Sequence, residues 1–372
     1  MPLPSERLDR PALLAWLQEM KPGKLDHLWA RADAVRQAVV GDEVHLRGLI
    51  EVSNFCVRSC LYCGLRAGSM HLQRYRMTEA QILASAKEAK ALGYGTVVLQ
   101  GGEDPGLTRE TVAAVVRRIK AETGLAVTLS LGERSPEEFL AWRQAGADRY
   151  LLRFETSDPE LYRCIHPVLP GGAPDRFGML ALLRELGYEI GTGVMVGIPG
   201  QTWTSLADDL LRLRELDPDM IGAGPFLPNP RTPLGAPSVE DRVVPGQVPN
   251  DELTTLKVVA LARLLCPEAN LPSTTALATL DPANGRELGL VRGANVVMPN
   301  VTPAPFRELY EIYPGKACVN ETASVCRGCL EGRIQSIGRR VGLGPGGRLR
   351  RQAEPADVTA ESQERNPALA RL

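Results

Sequence analysis

Between residues 44 and 299 the chain alternates short runs of nearly continuous apolar residues with longer segments whose apolar positions recur every three or four residues. The short runs are 44–52, 95–100, 126–131, 149–155, 191–198, 220–226, 270–275 and 294–299. Helical spacing fills the intervals: 78–89, 108–122, 136–145, segments running to 186, 204–215, 251–265 and a short piece near Arg286. Apolar strands that alternate with helices, rather than alternating polar and apolar residues, indicate a parallel sheet covered on both faces. Eight strand–helix units predict a closed (β/α)8 barrel of the TIM type, and no dinucleotide fingerprint follows the first strand to favour an open, doubly wound sheet.

Two helical patterns over 11–40 precede the first strand and predict an N-terminal helical cap, residues 1–43. The barrel is expected over 44–300 and a C-terminal extension over 301–342. Beyond Gly342 the chain is rich in Gly, Pro, Arg and Glu, and 343–372 reads as a tail without fixed structure. Hydrophobic residues make up 44% of the 372, enough for one large core, and a net charge of −1 gives no basic surface for nucleic acid. No apolar run is long enough to span a membrane and the first residues do not form a signal peptide, so a cytoplasmic protein is expected.

Six of the eight cysteines fall in two groups, Cys56/Cys60/Cys63 and Cys318/Cys326/Cys329, while Cys164 and Cys266 stand alone. The first group has the spacing C-x-x-x-C-x-x-C, which lets three thiolates meet on one loop directly after the first strand. Structural zinc usually takes four ligands in paired groups, and a disulfide does not suit a reducing compartment. Three soft ligands suit an iron–sulfur cluster, and a cubane of four irons held by three cysteines keeps one iron open for a substrate or cosubstrate. In a barrel this loop lies at the carboxyl ends of the strands, where active sites are built.

The loop, with Tyr62 before its last cysteine, resembles the signature of the radical S-adenosylmethionine (SAM) superfamily. The resemblance implies a 4Fe–4S cluster on Cys56, Cys60 and Cys63 that binds SAM and, once reduced, cleaves it to a 5'-deoxyadenosyl radical. It also implies that Gln100, Gly101, Gly102 and Glu103, at the end of strand two, contact the methionyl amino group. Glu155, at the end of strand four, is placed to hold both ribose hydroxyls. Arg176 can clamp the methionyl carboxylate bidentately and Met195 offers an apolar wall for adenine. Thr128 and Ser130 alternate on strand three, and Arg153, Thr274 and Thr275 add a cation and hydroxyls, so the lumen suits a small anionic or polar substrate.

The segments at 53–66, 74–78, 102–105, 128–133, 147–153, 195–202, 224–228 and 293–300 are similar, in order, to the HydE family of FeFe hydrogenase maturases. That family implies assembly of the di-iron subcluster of the hydrogenase H-cluster. The radical would attack the sulfur of a cysteine-bound iron–carbonyl–cyanide complex, an organometallic substrate made by another maturase. Ser130, Arg153, Thr274, Thr275, Tyr310 and Tyr313 match the family's cavity and its closing segment. Cys318, Cys326 and Cys329 match a second, surface iron–sulfur site, 2Fe–2S or 4Fe–4S, that some members carry; zinc is the alternative. An electron donor such as flavodoxin or ferredoxin is implied as a partner. Phe154 departs from the histidine frequent between Arg153 and Glu155. Three rivals differ: biotin-synthase-like sulfur insertion needs cysteines on strands two to five, which are absent; a methylornithine-synthase-like mutase shares the barrel; a scaffold would not cleave SAM.

Overall fold

The computed structural model describes residues 8–169, 175–236, 244–319 and 321–349. Its centre is a curled parallel sheet of β1 Glu43–Ser53, β2 Thr96–Gly101, β3 Ala126–Ser130, β4 Arg149–Leu151, β5 Glu189–Val196 and β6 Met220–Pro225, paired in sequence order. On the other edge of β1 lies β7, Val296–Val297. The gap between β6 and β7 is bridged by the chain at 270–272, where Asn270 pairs with Met220 and Pro272 with Val296. The expected strand 270–275 is thus reduced to two isolated bridges, because Pro272 has no N–H for a continuous ladder. A similar limit shortens the last expected strand, which ends before Pro299. A further strand that periodicity did not indicate, β8 Arg340–Gly342, pairs with Glu43–His45 at the start of β1.

The helices of the barrel form close to where the apolar spacing places them, and most of their starts are fixed by a capping side chain. Thr78 and Ser135 make capping boxes with Gln81 and Glu138, while Thr108 and Asp251 accept from Thr111 and Thr254 backbone N–H groups. The N-terminal pair, Arg10–Leu17 and Pro22–Val40, packs against the outer helices Trp203–Leu216 and Glu252–Leu265 through buried Leu13, Leu17, Leu25, Leu28 and Ala32. The short β4 is anchored by an aromatic cluster, Tyr150 set edge-on to Phe139 and Tyr188 at 4.9 and 6.0 Å.

Strand alternation sends every second side chain into the lumen. Register aligns Glu51 with Gln100 and Gln100 with Ser130. Two lumen-facing groups have unexpected partners. Glu51, 1% exposed, pairs with Lys316 at 2.7 Å and accepts from Asn300 at 3.0 Å, tying the C-terminal segment to β1. At the opposite end, segment 343–349, expected to lie in an unstructured tail, forms the floor. The Pro345 carbonyl accepts from Thr96 at 2.8 Å and Arg149 at 3.1 Å, and the Gly346 carbonyl from Arg47 at 2.9 Å. Arg348 fastens the segment by ion pairs to Asp217 at 2.9 Å and Glu268 at 3.1 Å. Backbone carbonyls that satisfy buried guanidinium groups hold the segment, while its two leucines, Leu343 and Leu349, stay exposed.

Ending the chain after Gly342 is expected to lower the unfolding free energy by about 3–6 kcal/mol relative to a chain ending at Leu349. This corresponds to two charged hydrogen bonds at roughly 1.5–3 kcal/mol each. Equal urea midpoints for the two chains would refute the role of the floor.

Burial holds the Glu51 carboxyl above the ordinary carboxylate range, opposed by Lys316. The folded state therefore keeps a proton that the unfolded chain releases at about pH 4.3. Stability falls as pH rises from there towards the raised value. Lys316→Ala removes the opposing charge and steepens this fall, with a loss of about 3–5 kcal/mol once Glu51 is ionised and unpaired. Denaturant titrations should show a small deficit at pH 5 and a large one at pH 8; a deficit independent of pH would contradict the pairing.

Candidate active site

β1 delivers the chain into the loop of Cys56, Cys60 and Cys63, whose backbone is pinned by neighbouring elements. Val57 N–H donates to the Glu103 carbonyl at 3.0 Å, Leu61 N–H to Ile165 at 2.8 Å and Gly64 N–H to Ile312 at 2.9 Å. From within the loop region, the Arg74 guanidinium donates to the carbonyls of Leu65 and Arg66, both at 2.8 Å. A Cβ on Gly102 would lie 2.3 Å from the Phe55 carbonyl oxygen and 2.7 Å from Cys56 Cβ, so the end of β2 can pass the loop only as glycine.

Burial pushes the Cys63 thiol up to about 12 and raises Cys56 and Cys60 as well, with Cys60 also feeling the charges of Cys63 and Cys56. Thiolate is the ligand form, and a bound metal centre deprotonates coordinating thiols outright. Three thiols on one rigid loop, too desolvated to ionise by themselves, fit a cationic iron–sulfur cluster.

Tyr62 packs on an apolar patch of Met195, Ile198, Phe226, Leu234, Leu161 and Ile165. This is a flat, dry wall of the kind an adenine ring needs, and Met195 lies in it. Beside it, Glu155 has φ 63°, a left-handed backbone that costs a residue with a Cβ about 1–3 kcal/mol. The residue is held there by Glu155 N–H donating to Gly193 O and by Met195 N–H donating to Glu155 O, both at 3.0 Å. Arg153 Nη2 lies 3.0 Å from Glu155 Oε2 but out of line for a hydrogen bond, leaving that buried oxygen without a donor. An orphaned carboxylate oxygen at the mouth fits a ligand hydroxyl.

Glu103 and Arg176 are placed differently from the expectation. Glu103 pairs with Arg58 and accepts from Glu133 N–H at 3.1 Å. Arg58 also pairs with Glu133, which holds Arg176 Nε at 2.9 Å. Arg176 further donates to the Arg153 carbonyl and meets His166 Nε2 at 2.7 Å. Burial pushes His166 down to about 3, reinforced by Arg176 and Arg58, so the ring is neutral and accepts at Nε2 with its proton on Nδ1. The guanidinium expected to clamp a methionyl carboxylate is thus occupied by protein acceptors and does not line the lumen.

The lumen holds a cavity of about 350 Å³ that runs from Cys63 and Tyr62 at the mouth to Arg47 and Met220. Gln100, Gly101, Ser130, Arg153, Glu155, Thr274, Thr275, Tyr310 and Tyr313 all lie on its wall. Gln100 Nε2 donates to the Tyr310 hydroxyl at 3.2 Å, joining β2 to the closing segment. Thr274 and Thr275 are the cap and first residue of the helix Thr275–Leu280 rather than a strand end. Thr128 is buried beside Val98 in the sheet with its hydroxyl unpartnered, and it does not reach the cavity.

The second cysteine group is not confined to the surface. Cys318 and Cys326 open into the same cavity, and only Cys329 is exposed. Cys326 donating to Cys318, together with the Arg286 guanidinium 3.4 Å away, brings the Cys318 thiol below the ordinary cysteine range. Sequence reasoning missed Arg47, Glu51, Asn300 and Lys316 on the wall. The first two were signalled by charges at 47 and 51, two strand periods apart within an otherwise apolar run.

The Radical SAM superfamily profile matches residues 50–213. The chain is 49% identical over 323 residues to the FeFe hydrogenase maturase subunit HydE of Thermotoga maritima, covering 87% of this chain and 89% of that protein. It is 30% identical over 276 residues to 3-methylornithine synthase of Methanosarcina acetivorans, covering 74% of each. The crystal structure of methylornithine synthase (PylB) superposes with a TM-score of 0.77 over 91% of this chain and 95% of that one, at 26% identity. No helix among the described residues is long and apolar enough to cross a membrane. With 49% of the aligned residues identical over 89% of a HydE protein, and the cysteine loop of the superfamily at the mouth of its barrel, the chain belongs to the HydE family of FeFe hydrogenase maturases and is a radical SAM enzyme.

Proposed function

We propose that this enzyme acts on a cysteine-bound iron–carbonyl–cyanide complex in the lumen, as a step in building the di-iron subcluster of FeFe hydrogenase. The supporting observation is the single cavity that connects the cysteine loop with Ser130, Arg153, Thr274, Thr275, Tyr310 and Tyr313. A 4Fe–4S cluster on Cys56, Cys60 and Cys63 with SAM against Tyr62, Met195 and Glu155 supplies a 5'-deoxyadenosyl radical, with flavodoxin or ferredoxin as electron donor. Arg153, anchored through Nη2 to the Val194 carbonyl at 2.6 Å, keeps a buried Nε free to donate to a carboxylate or cyanide. Leu49, Leu151, Val296 and Met298 provide apolar surface for carbonyl ligands, and the Lys316–Glu51 pair closes the wall beside Tyr310. Together these walls exclude water from the reacting sulfur.

Cys318, Cys326 and Cys329 are proposed to hold a second iron–sulfur cluster, with Arg286 offsetting thiolate charge on its lumen side. A mutase acting on an amino acid is a second reading, favoured by the likeness to 3-methylornithine synthase. In that case Arg153 would take the substrate carboxylate.

The reading is tested by activating unmatured hydrogenase with the partner maturases in three reactions: with this protein, without it and with Cys60→Ala. Hydrogenase activity is expected in the first reaction alone, and 5'-deoxyadenosine, assayed on this protein without the other maturases, is expected from the unsubstituted protein and not from Cys60→Ala. Activation without the protein would overturn the maturase function, and 5'-deoxyadenosine formation by Cys60→Ala would overturn the role of the loop.

A further inference from the structure

Behind the mouth of the barrel, outside the lumen, the helix Trp203–Leu216 carries a carboxylate with no exposure to solvent, Asp209. It has no cationic partner in its hydrogen-bond set. Oδ1 accepts from the Ser157 backbone N–H, from Ser157 Oγ at 2.7 Å and from Thr156 Oγ1 at 3.2 Å, and Oδ2 accepts from Gln201 Nε2 at 3.2 Å. Burial pushes the carboxyl up to about 7 against the pull of these donors. A fully buried acid in a helix of a marginally stable protein is costly, and this one neither touches the cavity nor serves the capping of its own helix.

Its partners show what it holds. Thr156 and Ser157 immediately follow Glu155, the residue with the left-handed φ of 63°. Gln201 leads to the other side of the mouth, where its Nε2 donates to the Met195 carbonyl at 3.1 Å and its Oε1 accepts from Gly197 N–H at 2.7 Å. One carboxylate therefore joins the turn after Glu155 to the strand end that presents Met195 and Ile198. These are the two sides between which a nucleoside would lie. The backbone conformation of Glu155 is unfavourable by itself and persists only if the following turn is fixed from outside.

We propose that Asp209 is a positioning residue for the cosubstrate: it locks the Thr156–Ser157 turn and thereby aims the Glu155 carboxylate at the ribose hydroxyls, in register with the adenine wall held through Gln201. The proposal rests on the reading that Glu155 receives the ribose. Removing the lock lets Glu155 relax toward ordinary backbone and carries its carboxylate off target, whereas the cysteine loop, still pinned by Glu103, Ile312 and Arg74, keeps its shape.

The test is a set of SAM titrations on anaerobically reconstituted protein, read from the change that SAM causes in the electron paramagnetic resonance spectrum of the reduced cluster. Methionine, which has no ribose, is titrated in parallel, and hydrogen exchange reports the Ser157 amide without any ligand. Asp209→Asn is expected to speed exchange at Ser157 and raise the Kd for SAM by about tenfold, the low end of what losing an outer hydrogen-bond partner does. It should leave the methionine Kd unchanged and add nothing in a Glu155→Gln background. If Glu155→Gln alone leaves the SAM Kd intact, the ribose reading fails and the proposal with it. If Glu155→Gln weakens SAM but Asp209→Asn does not, or the two effects add, or methionine weakens equally, Asp209 does not act through Glu155. Should Asp209→Asn fail to fold, Ser157→Ala removes the 2.7 Å donor alone and must still raise the Kd for SAM and not for methionine; no change there overturns the proposal.

Discussion

Three thiols that cannot ionise unaided set the terms for the rest of this structure. Burial raises all of them, and charge on neighbouring sulfurs adds to the cost, Cys63 and Cys56 acting on Cys60 and Cys56 on Cys63. Such a loop is stable only while a cationic centre neutralises it or while its backbone is held so firmly that the neutral thiols cannot spread. The chain provides the second condition in advance: Arg74 from within, Gly102 passing at van der Waals limit, and carbonyls of Glu103, Ile165 and Ile312 from separate elements. The donor set is therefore assembled before any metal arrives, and binding spends little on ordering.

The same economy governs the lumen. A parallel barrel excludes water from its centre, so each inward charge must find a partner among residues distant in sequence. Glu51 finds Lys316, and Arg149 finds Glu189 as well as the Pro345 carbonyl. Among the buried groups left without a hydrogen-bond partner, Arg153 Nε and Glu155 Oε2 belong to residues of the cavity wall, whereas others, such as Thr128 Oγ1 and Tyr94 Oη, lie away from it. Unpaired buried groups elsewhere destabilise the barrel; at the mouth they are the binding capacity itself.

Strands β1 to β6, their helices and the chemistry of the first loop were legible because each rests on a local signal: apolar runs, capping residues such as Thr78 and Ser135, and the spacing of Cys56, Cys60 and Cys63. The end of the barrel was not, since Pro272 breaks the ladder and leaves closure to two bridges that no window of sequence reveals. Nor could residue type alone show that Arg176 faces Glu133 and His166, or that Thr128 sits below the cavity while Ser130 reaches it. The floor was misjudged for a different reason. Its polar composition suggested disorder, but it is ordered by its carbonyl oxygens, which composition does not record.

That floor also bears on how the molecule comes into being on the ribosome. Arg47 receives its acceptor from a residue 299 positions later, and Arg149 from one 196 positions later. During synthesis both guanidinium groups belong to strands that can already pair, yet the carbonyls they require have not been made. The nascent barrel must keep its lower end hydrated until residues 345 and 346 have emerged, so the step that finally dries it is long-range and late, and sequence-local helix formation cannot hasten it.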